Sequence, residues 1–459
     1  MPRLVAVSNR TAADAASRAG GLAVALWDAL VDCGGAWFGW SGDVVEQERR
    51  GLRSFVDEGV EFALADLTQE EYDGFYLGYA NRSLWPTFHY RVDLATFNEE
   101  DFAVYDAVNR RFARLIKTRL RDDDILWVHD YHFLLLGEAV RQEGWAGPMG
   151  FFLHIPFPAP EIFKTLPEHR RIAHAMMSFN LLGFQTRGDR DNFERYILED
   201  CDGVVEPDGG LRAFETSVVA RAYPIGIDTA AFTDLAGGAD ANAAAGRIDR
   251  FLGERKLVLG VDRMDYSKGL PERFEAVGRL FDTYPENVSR VSFTQIAPPS
   301  RSKVEEYVEL REHLDRLAGR INGDYGDLDW IPIRYLARSY PRESLAGLYR
   351  LAAVALVTPL HDGMNLVAKE YVAAQDPEDP GVLVLSEFAG AADQLSDALL
   401  VNPYDVSGVA DAINQALNMP LEERKERWGA MMRGVVDQDI GWWRETYLSD
   451  LSAVRASAG

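Results

Sequence analysis

Two cations bracket a glycine-containing turn in the second half of the chain. Arg263 and Lys268 lie in the segment VDRMDYSKGL, between an apolar run and a predicted helix that begins at Leu270. Fixed cations beside a helix N-terminus, whose backbone N–H groups point outward, suit a diphosphate. A charged loop that is merely solvated is the alternative. The position of the two cations between a strand and a helix favours phosphate binding.

A second polar segment, HDGMNLVAKE, follows a later apolar run and opens another helical pattern. The turn at Gly363 exposes backbone N–H groups. The carboxylates of Asp362 and Glu370 accept hydrogen bonds from hydroxyl groups, so this spacing suits a polyol such as a sugar or a ribose. An N-cap followed by an ordinary first-turn glutamate is the alternative.

The first apolar run of the chain ends on a cation. Arg10 closes VAVSNR, and AGGL follows before a helical pattern. Gly20 and Gly21 would let backbone N–H groups approach an anion, and the helix N-terminus after them favours negative charge. An ordinary turn is the alternative, because glycine pairs are common in turns.

Histidines end two further apolar runs. His129 and His132 flank Asp130 in WVHDYH, which is compatible with a metal site, a general base or histidines packed in the core. A metal would need a third ligand that the sequence does not reveal. His154 ends GFFLH, and two prolines stop the strand after it, so we expect its imidazole at the rim of the sheet. A hydrogen-bonded core position and a role in a cleft both remain open for His154.

The elements that position these residues alternate along the chain. Apolar runs without polar alternation are typical of parallel strands that are covered on both faces. We predict strands at Leu4–Ser8, Ile125–His129, Gly150–His154, Leu181–Gln185, Lys256–Val261, Val291–Ile296, Val354–Thr358 and Val382–Leu385. We predict helices at Phe97–Arg119, Asp189–Glu199, Leu270–Thr283, Lys303–Leu317 and Pro341–Leu351. Strand–helix alternation at this spacing indicates doubly wound α/β layers.

The length favours two such layers. Pro224 and Gly226 predict an extended joint, and the Ala/Gly/Asp stretch 236–246 has too little apolar bulk to form core. We therefore predict two α/β domains of similar size, residues 1–228 and 229–439. Ligands are expected in a cleft between the carboxyl ends of their strands.

Composition excludes several classes of protein. The chain has 459 residues, and 48 Lys and Arg against 72 Asp and Glu leave a net charge of -24. This charge argues against binding nucleic acid or anionic membranes. Two cysteines cannot form a disulfide framework, and the N-terminus has no signal-peptide pattern, so we expect a cytoplasmic protein. The sequence also lacks the G-x-G-x-x-G, P-loop, H-E-x-x-H and G-x-S-x-G motifs.

Eleven motifs, taken together, resemble the trehalose-6-phosphate synthase family. In chain order they are SNR, AGGL, GGAWFGWSG, LWPTFHYR, WVHDYH, FLHIPFP, DRMDYSKGL, FTQIAPPSR, RINGDYG, DGMNLVAKEYVAAQ and GVLVLSEFAGAA. The resemblance runs from about Leu4 to about Leu451. It implies a GT-B fold, in which two Rossmann-like domains with doubly wound parallel sheets face an interdomain cleft. It also implies that the C-terminal helices, about 440–459, cross back onto the N-terminal domain.

The resemblance assigns roles to residues of this sequence. It implies that the N-terminal domain binds the acceptor. Arg10, Tyr76 and Trp85, together with Arg301 from the C-terminal domain, would hold the phosphate, and Trp40 and Asp130 would line the sugar. It implies that Arg263 and Lys268 neutralise the donor diphosphate. His154 would contact the transferred glucose, Asp362 would bind the glucose hydroxyls, and Glu370 would bind the ribose. The donor set is completed by Gly20, Gly21, His361, Gly363, Met364, Asn365, Leu366 and Val367. The groups expected to take part in catalysis are Arg263, Lys268, His154 and Asp130.

The activity implied is that of a retaining glucosyltransferase in trehalose biosynthesis. It would move glucose from a nucleotide glucose to glucose 6-phosphate by same-face attack, without a metal or another cofactor. His361 stands where familiar members have Arg, close to the nucleotide, so UDP-, GDP- and ADP-glucose all stay open. Its expected partners are small molecules, with no nucleic acid and no membrane; a separate trehalose-6-phosphate phosphatase would act downstream, and a homo-oligomer stays open. The alternatives are an acceptor such as glycerol 3-phosphate or a cyclitol phosphate, or a non-catalytic sugar-phosphate sensor.

Overall fold

The computed structural model describes residues 3–11, 26–27, 29–31, 34–47, 51–300 and 305–457. Over these residues the chain divides into two compact units. Unit 1 comprises Met1–Pro224 and Trp443–Gly459, and unit 2 comprises Ile225–Trp442. No helix within the described ranges is both long and apolar enough to cross a lipid bilayer.

One sheet organises the described part of unit 1. Its strands are β1 (Leu4–Arg10), β2 (Ala36–Val45), β3 (Arg53–Asp57), β4 (Val60–Thr68), β5 (Ile125–His129), β6 (Met149–Phe152), β7 (Leu181–Phe184), β8 (Val204–Val205), β9 (Leu211–Ala213) and β10 (Thr216–Ala222). Their order is β3-β4-β2-β1-β5-β6-β7-β10-β9-β8. Pairing is parallel from β4 to β10 and antiparallel at both edges. The order changes direction between β1 and β5, which is where doubly wound sheets bind ligands.

Helices cover this sheet. They are α1 (Gln69–Glu71), α2 (Trp85–Phe88), α3 (Glu99–Lys117), α4 (Leu136–Gln142), α5 (Pro160–Phe163), α6 (His169–Met176) and α7 (Arg187–Asp200), with a π-helix at Tyr72–Leu84 between α1 and α2. Strands β5 and β6 are buried along their whole length. Both faces are therefore covered, which explains why these runs contain almost no polar residue.

The second sheet, in unit 2, is parallel throughout its described strands. These are β11 (Lys256–Val261), β12 (Val291–Ile296), β13 (Ile333–Leu336), β14 (Val354–Val357), β15 (Val382–Ser386) and β16 (Leu399–Val401). Their order is β13-β12-β11-β14-β15-β16, so the direction changes between β11 and β14. The helices are α8 (Thr229–Gly237), α9 (Ala239–Leu252), α10 (Leu270–Thr283), α11 (Glu305–Tyr325), α12 (Arg342–Leu351), α13 (Leu366–Ala374), α14 (Val406–Leu417) and α15 (Leu421–Asp437).

The last helix, α16 (Ile440–Ser457), contains the second boundary between the units. Its Trp443 and Tyr447 are fully buried in unit 1, where their rings lie 5.0 and 4.7 Å from the ring of Trp127. The Tyr447 hydroxyl donates to the Phe151 carbonyl at 3.1 Å. A Cβ at Gly150 would lie 2.3 Å from that hydroxyl, so glycine allows the helix to approach the sheet closely.

Two parallel-sheet α/β units confirm the predicted fold class. The predicted bounds of β5, β11, β12 and α10 agree with the structure, and most others differ by one or two residues. The predicted helix Lys303–Leu317 ends too early, because buried Ala318 and Ile321 keep α11 helical to Tyr325. The predicted strand Gly150–His154 ends too late, because β6 stops at Phe152.

The interpretation of residues 236–246 is wrong. Most of this stretch lies in α9, where Ala241 and Ala244 are buried. A Cβ at Gly347 in α12 would lie 2.2 Å from the Ala241 carbonyl oxygen, so the two helices approach backbone to backbone. Small residues form core here because close helix packing needs little side-chain volume.

Candidate functional site

Arg10, the last residue of β1, and Trp40, in the middle of β2, form a cation–aromatic pair. The Arg10 guanidinium carbon lies 4.8 Å from the centroid of the Trp40 ring. Trp40 is buried, and its Nε1 donates to the Asp43 carbonyl at 2.8 Å, which fixes the ring. Gly42 has φ +94°, and a Cβ there would lie 2.6 Å from Arg10 Nη2. The strand end therefore places an exposed cation over a fixed aromatic face.

The π-helix between α1 and α2 supplies aromatic residues to the same place. The rings of Tyr72 and Tyr76 stack at 5.5 Å, and Trp40 lies 5.8 and 5.4 Å from them. Tyr76 also stacks on His132 at 5.9 Å. Trp85 follows the π-helix and packs against Tyr131 at 5.5 Å. π-helical segments are rare and are frequent at functional sites.

Asp130 and His154 meet at the ends of β5 and β6. Asp130 has φ 76°, which is uncommon for a residue other than glycine, and its Oδ1 accepts the His154 backbone N–H at 3.3 Å. His129 Nδ1 and His154 Nε2 are 3.1 Å apart. Burial lowers the pKa of His154 to about 3, and burial together with His154 lowers the pKa of His129 well below its usual value. Both imidazoles are therefore neutral hydrogen-bonding groups near pH 7.

The second histidine of the WVHDYH segment, His132, lies in the interior of unit 1. It is 6% exposed and packs 4.0 Å from the Tyr131 ring. His129 is fully buried as well. No group of three or more His, Cys, Asp or Glu side chains placed to hold a metal ion occurs within the described ranges.

The two polar segments of unit 2 meet at the change of direction between β11 and β14. Lys268 Nζ lies 2.5 Å from Asp362 Oδ2, which also accepts from Asn365 Nδ2 at 3.0 Å. The loops are joined through their backbones, since the Leu360 N–H donates to the Ser267 carbonyl at 2.8 Å. Three residues of the predicted donor set therefore form one hydrogen-bonded group.

The loop that carries Lys268 and Arg263 has a defined conformation. Arg263 is exposed. Asp265 Oδ1 accepts from the backbone N–H and the hydroxyl of Ser267, both at 3.0 Å, and its Oδ2 accepts from the Tyr307 hydroxyl at 2.9 Å. Gly269 ends the loop with φ +63°, and a Cβ there would lie 2.3 Å from the Thr358 carbonyl oxygen. Only glycine fits both requirements.

Helix α13 begins beside this group. Asn365 precedes it with φ 72°, and its side chain does not cap the helix. The first-turn N–H groups of α13 are thus suited to an anion. Burial raises the pKa of Glu370, in this helix, to about 7. Burial also lowers the pKa of His361, just before Asp362, to about 4.

The segment from Gly363 to Val367 joins Asp362 to α13. Gly363 and Met364 are buried, and the Met364 carbonyl accepts the Ala391 N–H at 2.8 Å. Leu366 and Val367 are half-buried in the first turn of the helix. The predicted Gly20, Gly21 and Arg301 lie outside the described residues.

The sequence analysis did not single out Tyr72 or Arg273. Tyr72 precedes Tyr76 by four residues, a spacing that places two rings on one face of a helix. Arg273 occupies a position of the apolar stripe Leu270, Phe274 and Val277 of α10 and is 1% exposed. A single cation on the apolar face of a helix is the signal that would have revealed it.

The family model of glycosyltransferase family 20 matches residues 3–453. A trehalose-6-phosphate synthase of Sodalis glossinidius is 45% identical over 465 aligned residues, covering 100% of this chain and 97% of that protein. A UDP-forming alpha,alpha-trehalose-phosphate synthase of Burkholderia vietnamiensis is 48% identical, with TM-score 0.98, over 100% of this chain and 98% of that one. A UDP-forming synthase of Burkholderia xenovorans in complex with glucose-6-phosphate is 46% identical, with TM-score 0.94, over 98% and 100%.

Proposed function

The chain belongs to glycosyltransferase family 20, and we propose that it transfers glucose from UDP-glucose to glucose 6-phosphate. The products would be alpha,alpha-trehalose 6-phosphate and UDP. The observation that carries this proposal is 48% identity over nearly the full length of a UDP-forming synthase. The relative solved with glucose-6-phosphate supports the acceptor.

Residues of unit 2 would bind the donor. Lys268, Arg263 and the first-turn N–H groups of α13 would neutralise the diphosphate, because cations and oriented N–H groups stabilise phosphate charge. Asp362 would accept bonds from glucose hydroxyls and Glu370 from the ribose. The support is geometric, since Lys268 and Asp362 already lie 2.5 Å apart at a change of strand direction.

Residues of unit 1 would bind the acceptor. Arg10, Tyr76 and Trp85 would hold the phosphate of glucose 6-phosphate, and Arg301 would add a further cation. The Trp40 ring and Asp130 would line its sugar. Support comes from the exposed Arg10, whose guanidinium carbon lies 4.8 Å from the centroid of the Trp40 ring.

The chemistry would keep the anomeric configuration. The acceptor hydroxyl at C1 would form its bond to the donor C1 on the face from which the diphosphate leaves. Its proton would pass to an oxygen of the leaving phosphate, so no protein base is consumed. Arg263 and Lys268 would stabilise the developing negative charge, and neutral His154 would contact the transferred glucose.

Three further features belong to the proposal. Transfer would need no metal, because Arg263, Lys268 and helix N–H groups would neutralise the leaving diphosphate. The enzyme would act in the cytoplasm. A separate phosphatase would remove the phosphate from the product.

The test is an assay of the purified protein with glucose 6-phosphate and UDP-, GDP- or ADP-glucose. We expect trehalose 6-phosphate with UDP-glucose, identified by mass and by the configuration of its glycosidic bond. Absence of product with every donor, despite UDP binding, would indicate a sensor. Turnover with glycerol 3-phosphate instead of glucose 6-phosphate would indicate the other acceptor class. Inclusion of EDTA in one set tests the metal-free reaction.

A further inference from the structure

Arg273 is a buried cation that joins several segments of unit 2. Its side chain is 0% exposed. Nη1 donates to Asp262 Oδ2 at 2.5 Å and to Gln295 Oε1 at 2.9 Å. Nε donates to Thr358 Oγ1 at 3.0 Å, and Nη2 donates to the Lys268 carbonyl at 3.3 Å. The guanidinium thus directs four of its five N–H groups at identified acceptors.

Three of these acceptors come from the carboxyl ends of three neighbouring strands. Asp262 directly follows β11, Gln295 belongs to β12, and Thr358 directly follows β14. The strand order changes direction between β11 and β14, so the guanidinium lies at the change of direction itself. A Cβ at Gly260 in β11 would lie 2.9 Å from Arg273 Nη1, so the strand leaves space for this group.

The bond to the Lys268 carbonyl connects Arg273 to the loop that carries Arg263 and Lys268, which we call the donor loop. The same loop ends at Gly269, against the carbonyl of Thr358, whose hydroxyl accepts from Arg273. One guanidinium therefore contacts both the Lys268 backbone and Thr358, the residue that follows β14 on the way to Asp362. Lysine lacks the planar arrangement of donors that reaches several acceptors at once.

We propose that Arg273 is a positioning residue for the donor diphosphate. It acts through the backbone of Lys268 and directs the ammonium group toward the phosphate. This inference rests on the proposed function, because it concerns the same donor. Arg273 itself does not touch the substrate, since its side chain is fully buried. Displacing a positioned group by about 1 Å is sufficient to cost on the order of 10²-fold in rate.

The primary experiment measures kinetics of R273M with UDP-glucose and glucose 6-phosphate. We expect kcat/KM for UDP-glucose to fall on the order of 10²-fold, while KM for glucose 6-phosphate changes less than about twofold. UDP affinity, measured by calorimetry, should fall as well. Unchanged UDP affinity, together with a loss of kcat no larger than the loss of folded protein measured by circular dichroism, would overturn the proposal.

A double-mutant cycle tests whether Arg273 acts through Lys268. If it does, K268A/R273M should be no more than about threefold slower than K268A, because the group to be positioned is already absent. Multiplication of the two single losses would overturn the proposal. R273K serves if R273M fails to fold. It keeps the charge beside Asp262, and we expect the same donor-specific defect to a smaller degree, whereas wild-type kinetics would contradict the inference.

Arg141 offers a matched control in unit 1. Its guanidinium donates to the Gly147 carbonyl at 2.7 Å and to Asn180 Oδ1 at 2.8 Å, both in unit 1. R141M should lower the free energy of unfolding without changing either KM. Wild-type protein in the same assays separates a failure of the proposed glucosyltransferase function from a failure of the positioning role of Arg273. Wild type without turnover refutes the proposed function, while UDP binding to wild type and R273M still tests the positioning role.

Discussion

The ammonium group of Lys268 lies 2.5 Å from the carboxylate of Asp362, although the residues are 94 positions apart in sequence. A cation proposed for a diphosphate and a carboxylate proposed for sugar hydroxyls thus form an ion pair with each other. Donor binding would replace this ion pair by one contact to phosphate and one to glucose. The pair keeps both side chains oriented, which lowers the cost of ordering them when the ligand binds.

K268A should lower turnover by about 10²–10³, comparable to the loss of one preorganised donor to a developing oxyanion. The measurement is kcat with saturating UDP-glucose and glucose 6-phosphate. Lys256 provides the control, because its Nζ donates to the Leu417 carbonyl at the opposite end of β11. K256A should keep the wild-type turnover. Equal turnover in wild type and K268A would exclude Lys268 from the mechanism.

G269A should destabilise unit 2 and reduce turnover. The substitution places a Cβ 2.3 Å from the Thr358 carbonyl oxygen at a φ of +63°. Strained backbone and overpacking each cost about 1–3 kcal/mol. Gly144 is the control, since its φ is +79° but no other group among the described residues lies within 4 Å of the position that its Cβ would take. Urea denaturation should show a larger loss for G269A than for G144A; equal losses would mean that the carbonyl contact is unimportant.

R10A should weaken binding of the acceptor alone. Losing a hydrogen bond between charged groups costs about 1.5–3 kcal/mol, which corresponds to a rise of about 10- to 100-fold in KM for glucose 6-phosphate. KM for UDP-glucose should stay the same. Arg110, which pairs with Asp106 on the surface of α3, serves as the control through R110A. A rise in the donor KM instead would show that the acceptor assignment of Arg10 is wrong.

Stability of unit 1 should fall as the pH is lowered from 7 to 5. The pKa of His154 is about 3 in the folded protein and about 6.5 when unfolded, so only the unfolded state gains this proton in that range. The contribution of His154 is complete above pH 6.5 and is lost toward pH 3. Between pH 7 and 5, the free energy of unfolding should fall by roughly 2 kcal/mol more in wild type than in H154Q. Equal pH profiles in denaturant titrations would contradict this.

UDP should bind more tightly as the pH rises from 6 to 8. The pKa of Glu370 is about 7, and only its charged form accepts bonds from both ribose hydroxyls. The charged fraction grows from about one tenth to about nine tenths, so affinity should rise about tenfold. Calorimetry of wild type and E370Q at both pH values checks this, because the titration of UDP itself is common to both proteins. The same pH dependence in E370Q would remove Glu370 from the site.

Much of the fold is legible in local sequence patterns. Strands β5, β11 and β12 are uninterrupted apolar runs, and α10 has one apolar face, so their bounds agree with the prediction. In contrast, β2 contains Gly39, Gly42 and Asp43. It forms a strand because its neighbours β1 and β4 supply backbone partners on both sides. Local composition does not encode such pairing.

The interior roles of polar residues were harder to derive. His129 and His132 left a metal, a base and the core open, and burial places both in the core. The role of Arg273 is not predictable from the sequence, because a cation among apolar residues can be interpreted only when its acceptors are known. Those acceptors come from three strands and a loop that are dispersed between Asp262 and Thr358.

Local sequence patterns are sufficient to predict the α/β class, the order of most strands and helices, and the strand ends at which polar residues collect. These follow from periodicity and from residue preferences at helix and strand ends, which act over a few positions. Only the tertiary structure decided which strand ends are neighbours and therefore that Lys268 meets Asp362 and that Arg273 binds between β11 and β14. The physical reason is that side-chain contacts depend on strand order and close packing, which bring distant segments within hydrogen-bonding distance.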